Sequence, residues 1–147
     1  PVLDELEKVL HLLRKYERLV FFYSEYTNHP YESVENFKKF CRKHHFKYDV
    51  LKDSNQFDIQ KGVAYLSVSD RILGRFLEQT REKGLEPGDD VGFISYNETP
   101  MKKFIYKGIT VLSTNFQMLG QKAAEFVSKD EPMKICVPTT IRVRESL

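Results

Sequence analysis

The stretch Gly84-Leu85-Glu86-Pro87-Gly88-Asp89-Asp90-Val91-Gly92-Phe93-Ile94-Ser95-Tyr96-Asn97-Glu98-Thr99 decides how the rest of the chain is read. Gly84 stops a helix, because glycine takes the left-handed backbone that ends helices at little cost. Residues 85–89 carry turn chemistry. Residues 91–96 read as a strand, and Asn97, Glu98, Thr99 and Pro100 follow at its carboxyl end. Helix, turn, strand and polar strand end make one unit of an alternating α/β chain.

Working upstream, Ile72, Leu73, Phe76 and Leu77 mark one face of the helix that Gly84 ends. The apolar run 63–68 before it delivers Ser69-Asp70 at its carboxyl end. Phe46, Tyr48 and Val50 alternate with polar residues in a strand pattern. Val34, Phe37, Phe40, Cys41 and His44 mark a helix that Pro30 opens and that runs to about residue 45. Leu19-Val20-Phe21-Phe22-Tyr23 is an unbroken apolar run, as in a strand buried on both faces. Leu3, Leu6, Leu10 and Leu13 predict a helix over 2–16; Val9, Leu12 and Tyr16 widen its apolar stripe.

Downstream, residues 101–108 are mixed and residues 109–112 form a short strand. Thr114 and Gln117 match a capping box for a helix carrying Phe116, Leu119, Ala123, Phe126 and Val127. A last strand, about 133–143, contains Pro138 and so belongs at an edge or a bend. The fold class is α/β, a mainly parallel sheet flanked by helices. Such sheets bind ligands outside the carboxyl ends of their strands. There the chain places Ser24-Glu25, Ser69-Asp70, Asn97-Glu98 and Ser113-Thr114-Asn115. Asp70, Asn97 and Thr114 could equally do no more than cap helices and turns.

Composition narrows the function classes. The chain has 147 residues and 17.3 kDa, one ordinary domain. Its 23 basic and 21 acidic residues leave a net charge of +2, which excludes a strongly basic nucleic-acid binder or a polybasic membrane binder. No apolar run approaches the ~20 residues of a membrane span. Opening on Pro1, the chain is expected to begin inside a larger protein or after processing. Cys41 and Cys136 sit in apolar contexts and read as reduced core thiols, with a lone disulfide as the alternative. No phosphate loop, dinucleotide-binding turn or nucleophile elbow occurs. Adjacent His44 and His45 would point about 100° apart on a helix and cannot share a metal. Lys38, Lys39, Arg42, Lys43 and Lys47 fit the solvated face of a helix. Nothing supplies a nucleophile, an acid–base pair, a metal site or a cofactor site, so a binding module is favoured over an enzyme.

The stretch 84–99 also resembles the effector-binding domain of lactose/galactose-repressor-type transcription regulators, whose pattern here is P-x-D-(I/V)-(S/G)-(I/V)-x-(G/S)-(Y/F)-(D/N)-(D/N/E)-T. Ile109-Thr110-Val111-Leu112, Asn115-Phe116, Leu119-Gly120 and Ala123-Ala124 are similar to the next family motif. Pro138, Ile141, Arg144 and Ser146 are similar to the family's closing P-x-x-(L/I)-x-x-R-x-S. Val68-Ser69-Asp70 stands at its strand-end x-N-D. The likeness is strong over 62–147 and weaker over 16–51.

This resemblance implies a type I periplasmic-binding-protein-like fold, two α/β lobes around a small ligand, with this chain as the C-terminal lobe. Helices 2–16 and 115–128 would then belong to the missing N-terminal lobe, packing here on an open sheet edge or against another chain. It implies a cytoplasmic, effector-sensing and homodimeric regulator, with no enzymatic activity. DNA would be bound only by a domain absent from this chain. The effector would be a sugar or sugar derivative, with contacts at Ser69, Asp70, Asn97 and Thr114 and an apolar wall at Phe116. Ser33 stands where the family commonly has Arg, Ser69 where it has Asn, and Asn97 where it has Asp. Those departures remove the strongest charge-assisted contacts. The dimer interface is expected on 71–81 and 99–107, with Arg71, Gly74, Phe104 and Tyr106. An exported sugar-binding receptor of a transport system shares the fold and is the alternative reading.

Overall fold

The computed structural model describes residues 2–24, 31–53, 55, 57–114 and 139–147. In chain order the elements are α1 (Val2–Lys8), α2 (Leu10–Leu13), β1 (Arg18–Phe22), α3 (Glu32–Lys43), β2 (Lys47–Leu51), β3 (Val63–Ser67), α4 (Asp70–Lys83), β4 (Gly92–Tyr96), β5 (Thr110–Thr114) and β6 (Thr139–Arg142). One six-stranded sheet has the order β2-β1-β3-β4-β5-β6. β1 to β5 pair in parallel, and β6 joins β5 antiparallel, with Thr114 opposite Thr139 and Val111 opposite Arg142. The α/β class and the mainly parallel sheet expected from the sequence are both present.

The unbroken apolar run at 19–23 has its reason in two-sided burial. Leu19 and Phe21 face the core under α3, and Val20 and Phe22 face the core under α4. The same alternation places Ala64, Leu66, Ile94 and Tyr96 on the first side and Val63, Tyr65, Val91 and Phe93 on the second. α3 contributes Val34, Phe37, Phe40 and Cys41 at helical spacing to the first core, and α4 contributes Ile72, Leu73 and Phe76 to the second. Cys41 is a buried thiol, and burial pushes its pKa up to about 12. Cys136 and the predicted helix 115–128 lie outside the described residues.

Two glycines end what their neighbours begin. Gly84 caps α4 at φ +65, and the Leu85 N–H closes back on the Thr80 carbonyl. Gly88, at φ +92, lets the last residues lie against the turn; a β-carbon there would stand 1.9 Å from the Glu145 carbonyl oxygen.

The reading of residues 2–16 needs correction. They form not one helix but two short ones, broken at Val9. Part of their apolar stripe is covered within this chain, with Leu3, Leu10 and Leu12 only partly buried. Leu6, Val9, Leu13 and Tyr16 are buried in the α3-side core of this lobe. Polar contacts hold them there as well. Glu7 accepts hydrogen bonds from Lys43 at 3.0 Å and pairs with the His44 ring at 2.8 Å, chiefly the latter lowering its carboxyl pKa. Buried Glu5 accepts from the Ile141 N–H at 2.9 Å, which satisfies a backbone donor of β6. β5 also starts and ends later than expected, and Thr114 is its last residue.

Candidate functional site

The strand order places the site. From β1 the chain moves outward to β2, whereas from β3 it moves the other way to β4 and β5. The succession reverses between β1 and β3, and α3 and α4 cover opposite faces there. Sheets of this kind leave a crevice at that point, outside the carboxyl ends of the strands. Ser24 follows β1, Ser67 ends β3 with Ser69 and Asp70 after it, and Asn97 follows β4 at this edge.

Ser69 stands at the N-cap of α4 in extended backbone, yet its hydroxyl makes no capping bond. Ser67 organises this turn instead: its Oγ accepts from the Ser69 N–H at 2.9 Å and donates to the Ser69 carbonyl at 3.1 Å. Asp70, first in α4, has a side chain 65% exposed. Asn97 is held left-handed at φ +66, a conformation asparagine tolerates better than most residues. Its N–H donates to the Leu112 carbonyl at 2.7 Å.

A residue unmarked by the sequence joins these groups. Lys102 is only 2% exposed. Its Nζ donates to the carbonyls of Tyr96 at 3.1 Å and Asn97 at 2.6 Å, and lies 2.8 Å from Asp70 Oδ1. A lysine ammonium has three donors and no acceptor, so these partners satisfy it. Lys102 sits in a Met-Lys-Lys run that reads as surface charge. No local signal singles it out, and its apolar neighbours Met101 and Phe104 are 71% and 76% exposed.

Glu98 is engaged by the arginines at and after β6. Its carboxylate receives both Arg144 guanidinium nitrogens, Nη1 at 3.1 Å and Nη2 at 2.5 Å, and Arg142 at 3.4 Å. The Arg144 hydrogen bond chiefly holds its carboxyl below the usual carboxylate range. Arg144 also donates to the Ile109 carbonyl at 2.9 Å. Ser146 donates to the Phe93 carbonyl at 2.7 Å and accepts from the Thr110 N–H at 2.7 Å, tying β4 to β5. The closing Arg144 and Ser146 are thus structural clasps.

The other expected positions divide. Ser33 lies buried in the first turn of α3, where its side chain acts on the nearby Tyr96 hydroxyl. Burial pushes that phenol up to about 12. Ser33 is therefore behind the mouth, whereas Ser69, Asp70 and Asn97 are gathered by Lys102 and the 67–70 turn. Thr114 ends β5 at the same sheet edge. Phe116 lies outside the described residues. Arg71 and Gly74 are exposed on α4, and Phe104 and Tyr106 on the segment after β4. Of these, only Tyr106 lines a groove of about 540 Å³, whose other walls are Leu77, Glu78, Arg81 and Glu82 of α4 and Ile105. Ile105 packs against the α4-side core, but its neighbours Phe104 and Tyr106 do not line it. Among the described residues no group of His, Cys, Asp or Glu could hold a metal ion, and no helix is long and apolar enough to cross a membrane.

The architecture is that of the periplasmic-binding-protein-like effector domain of lac-repressor-type transcription regulators. In sequence, the chain is similar to the HTH-type transcriptional regulator GalR of Streptococcus thermophilus, 25% identical over 84 residues, which are 57% of this chain and 25% of that protein. In structure it is similar to a LacI family transcriptional regulator from Bifidobacterium animalis subsp. lactis (TM-score 0.77, 14% identity, 99% of this chain and 61% of that one). It is also similar to a periplasmic binding protein/LacI transcriptional regulator from Alkaliphilus metalliredigens complexed with D-xylulofuranose (TM-score 0.72, 13% identity, 99% and 63%). No family model matches the chain. The chain thus spans a quarter of its curated relative and about three fifths of these solved chains.

Proposed function

We propose that this chain is the effector-sensing, dimerising C-terminal lobe of a cytoplasmic transcription regulator, not an enzyme. The DNA-reading segment lies outside these residues, and a second lobe closes over the mouth. The carrying observation is the gathering of Ser69, Asp70 and Asn97 at the carboxyl edge of the sheet, beside the point where the strand order reverses. Hydroxyl, carboxylate and amide groups at fixed positions suit a polyhydroxylated ligand, because each accepts from or donates to a ligand hydroxyl. The sugar bound by the Alkaliphilus neighbour supports that ligand class. The sequence resemblance adds Thr114, Phe116 and Ser33 to the proposed contacts. Arg71, Gly74, Phe104 and Tyr106 form the face on which two copies meet. Ligand binding favours the closed arrangement of lobes and so shifts the dimer that grips DNA.

A thermal-shift screen of the full-length protein against neutral pentoses, hexoses and their phosphates tests this. At least one sugar should stabilise the wild type, and Asp70→Ala and Asn97→Ala should abolish its shift. A hit whose shift survives both substitutions would place the ligand elsewhere.

A further inference from the structure

We propose that Lys102 is a positioning residue that ties the mouth of the effector site to the exposed segment 99–108. This rests on the effector-site reading above and adds how occupancy of the mouth is passed on. The lysine joins three parts of the chain. Its ammonium holds the end of β4 through the Tyr96 and Asn97 carbonyls, and the start of α4 through Asp70. Its own backbone holds the turn: the Lys102 N–H donates to the Thr99 carbonyl at 3.1 Å, and its carbonyl accepts from the Ile109 N–H at 2.8 Å.

The partners are unequal. The two carbonyls are backbone atoms of a packed strand end and stay where they are. Asp70 belongs to an exposed side chain at the mouth, so a polyhydroxylated ligand can engage it. A ligand that takes hold of this carboxylate competes with the ammonium or shares it. The outer part of the turn is exposed at Met101 and Phe104, while Ile105 packs inward, the Tyr106 hydroxyl lies 3.3 Å from Thr80 Oγ1 and the Gly108 carbonyl accepts from the Ser146 N–H at 3.2 Å. Of the groups that hold this turn, the buried Lys102 ammonium is the one that reaches the mouth. The same turn carries Phe104 and Tyr106, the second of which lines the groove on α4. Lys102 therefore stands between the mouth and the face proposed for dimerisation.

Backbone hydrogen exchange of the ligand-free full-length protein tests this. Asp70→Ala removes only the exposed partner. It should speed exchange of the 99–108 amides at least about fivefold and leave β1 and β2 unchanged. Lys102→Met should speed the same amides, Lys102→Arg should restore part of the protection, and Asp70→Ala with Lys102→Met should add nothing to Lys102→Met alone. A lysine that only stabilises its own turn would leave 99–108 unmoved in Asp70→Ala, and that result, or additivity in the double variant, would overturn the proposal. If Lys102→Met does not fold, the Asp70→Ala arm decides alone. Failure of every sugar to stabilise the wild type would sink the effector reading while this exchange pattern still stood.

Discussion

Asp70 and Glu98 follow neighbouring strands, β3 and β4, and each meets a cation, but the two pairs are built in opposite ways. At Glu98 the guanidinium of Arg144 takes both carboxylate oxygens and folds the acid back toward the last strand. At Asp70 the cation is buried and the acid stays outside. A bidentate pair closes an acid off, because both oxygens are committed in one plane. A buried ammonium holds an acid by one oxygen and leaves the side chain at the surface. The geometry of the cation, rather than position along the strand, thus sorts a clasp from a candidate ligand contact.

The comparison can be broken at its strongest point first. Lys102→Met deprives the Tyr96 and Asn97 carbonyls of their donor, and should cost roughly 2–4 kcal/mol in urea unfolding. A cost under about 1 kcal/mol would mean that water replaces the lysine and that the cation is not a fixed part of the mouth. Arg144→Met should cost about 1.5–3 kcal/mol, since Glu98 and the Ile109 carbonyl both lose a charged donor.

The second pair also carries a pH signature. Glu98 titrates lower in the folded chain than unfolded, where its ordinary value is 4.5. The pair's contribution is therefore complete above the unfolded value and is lost as pH falls through the folded one. The stability gap between wild type and Arg144→Met should narrow on acidification from about pH 5 to about pH 3, as followed by urea midpoints. A gap constant over that range would show that the arginine acts through packing and Ile109 alone. Asp70→Asn is the smallest stability effect, within about 1 kcal/mol, because exposed pairs contribute little. Its consequence should appear in ligand binding instead, as a sugar-induced thermal shift much reduced at nearly unchanged stability.

Much of the frame was legible in the chain itself. Gly84 and the turn at 85–89 marked the end of α4 and the entry to β4, since left-handed backbone and turn geometry select few residue types. The two-sided burial of β1 was visible in its unbroken apolar run. Ser69, Asp70 and Asn97 could be read because they follow strands directly. What escaped depends on the third dimension. Nothing local distinguishes Lys102 from Lys103, yet only the first is buried. The apolar positions of 2–16 showed that cover was needed and left the sheet edge or another chain as its source; the part played by α3 was not visible. Ser33 was legible as a position but not as a buried one: it lies in the first turn of α3 near Tyr96, a residue far off in sequence.

The central claim is one of location: the carboxyl edge beside the reversal of strand order receives the ligand. The most direct test is amide chemical-shift mapping of the full-length protein, titrated with the sugar that most stabilises it. The account predicts saturable shifts at residues 67–71 and 96–98, with 86–88 and 145–147 at the opposite end of the sheet unmoved. Shifts gathered at that opposite end, with Ser69, Asp70 and Asn97 silent, would contradict it.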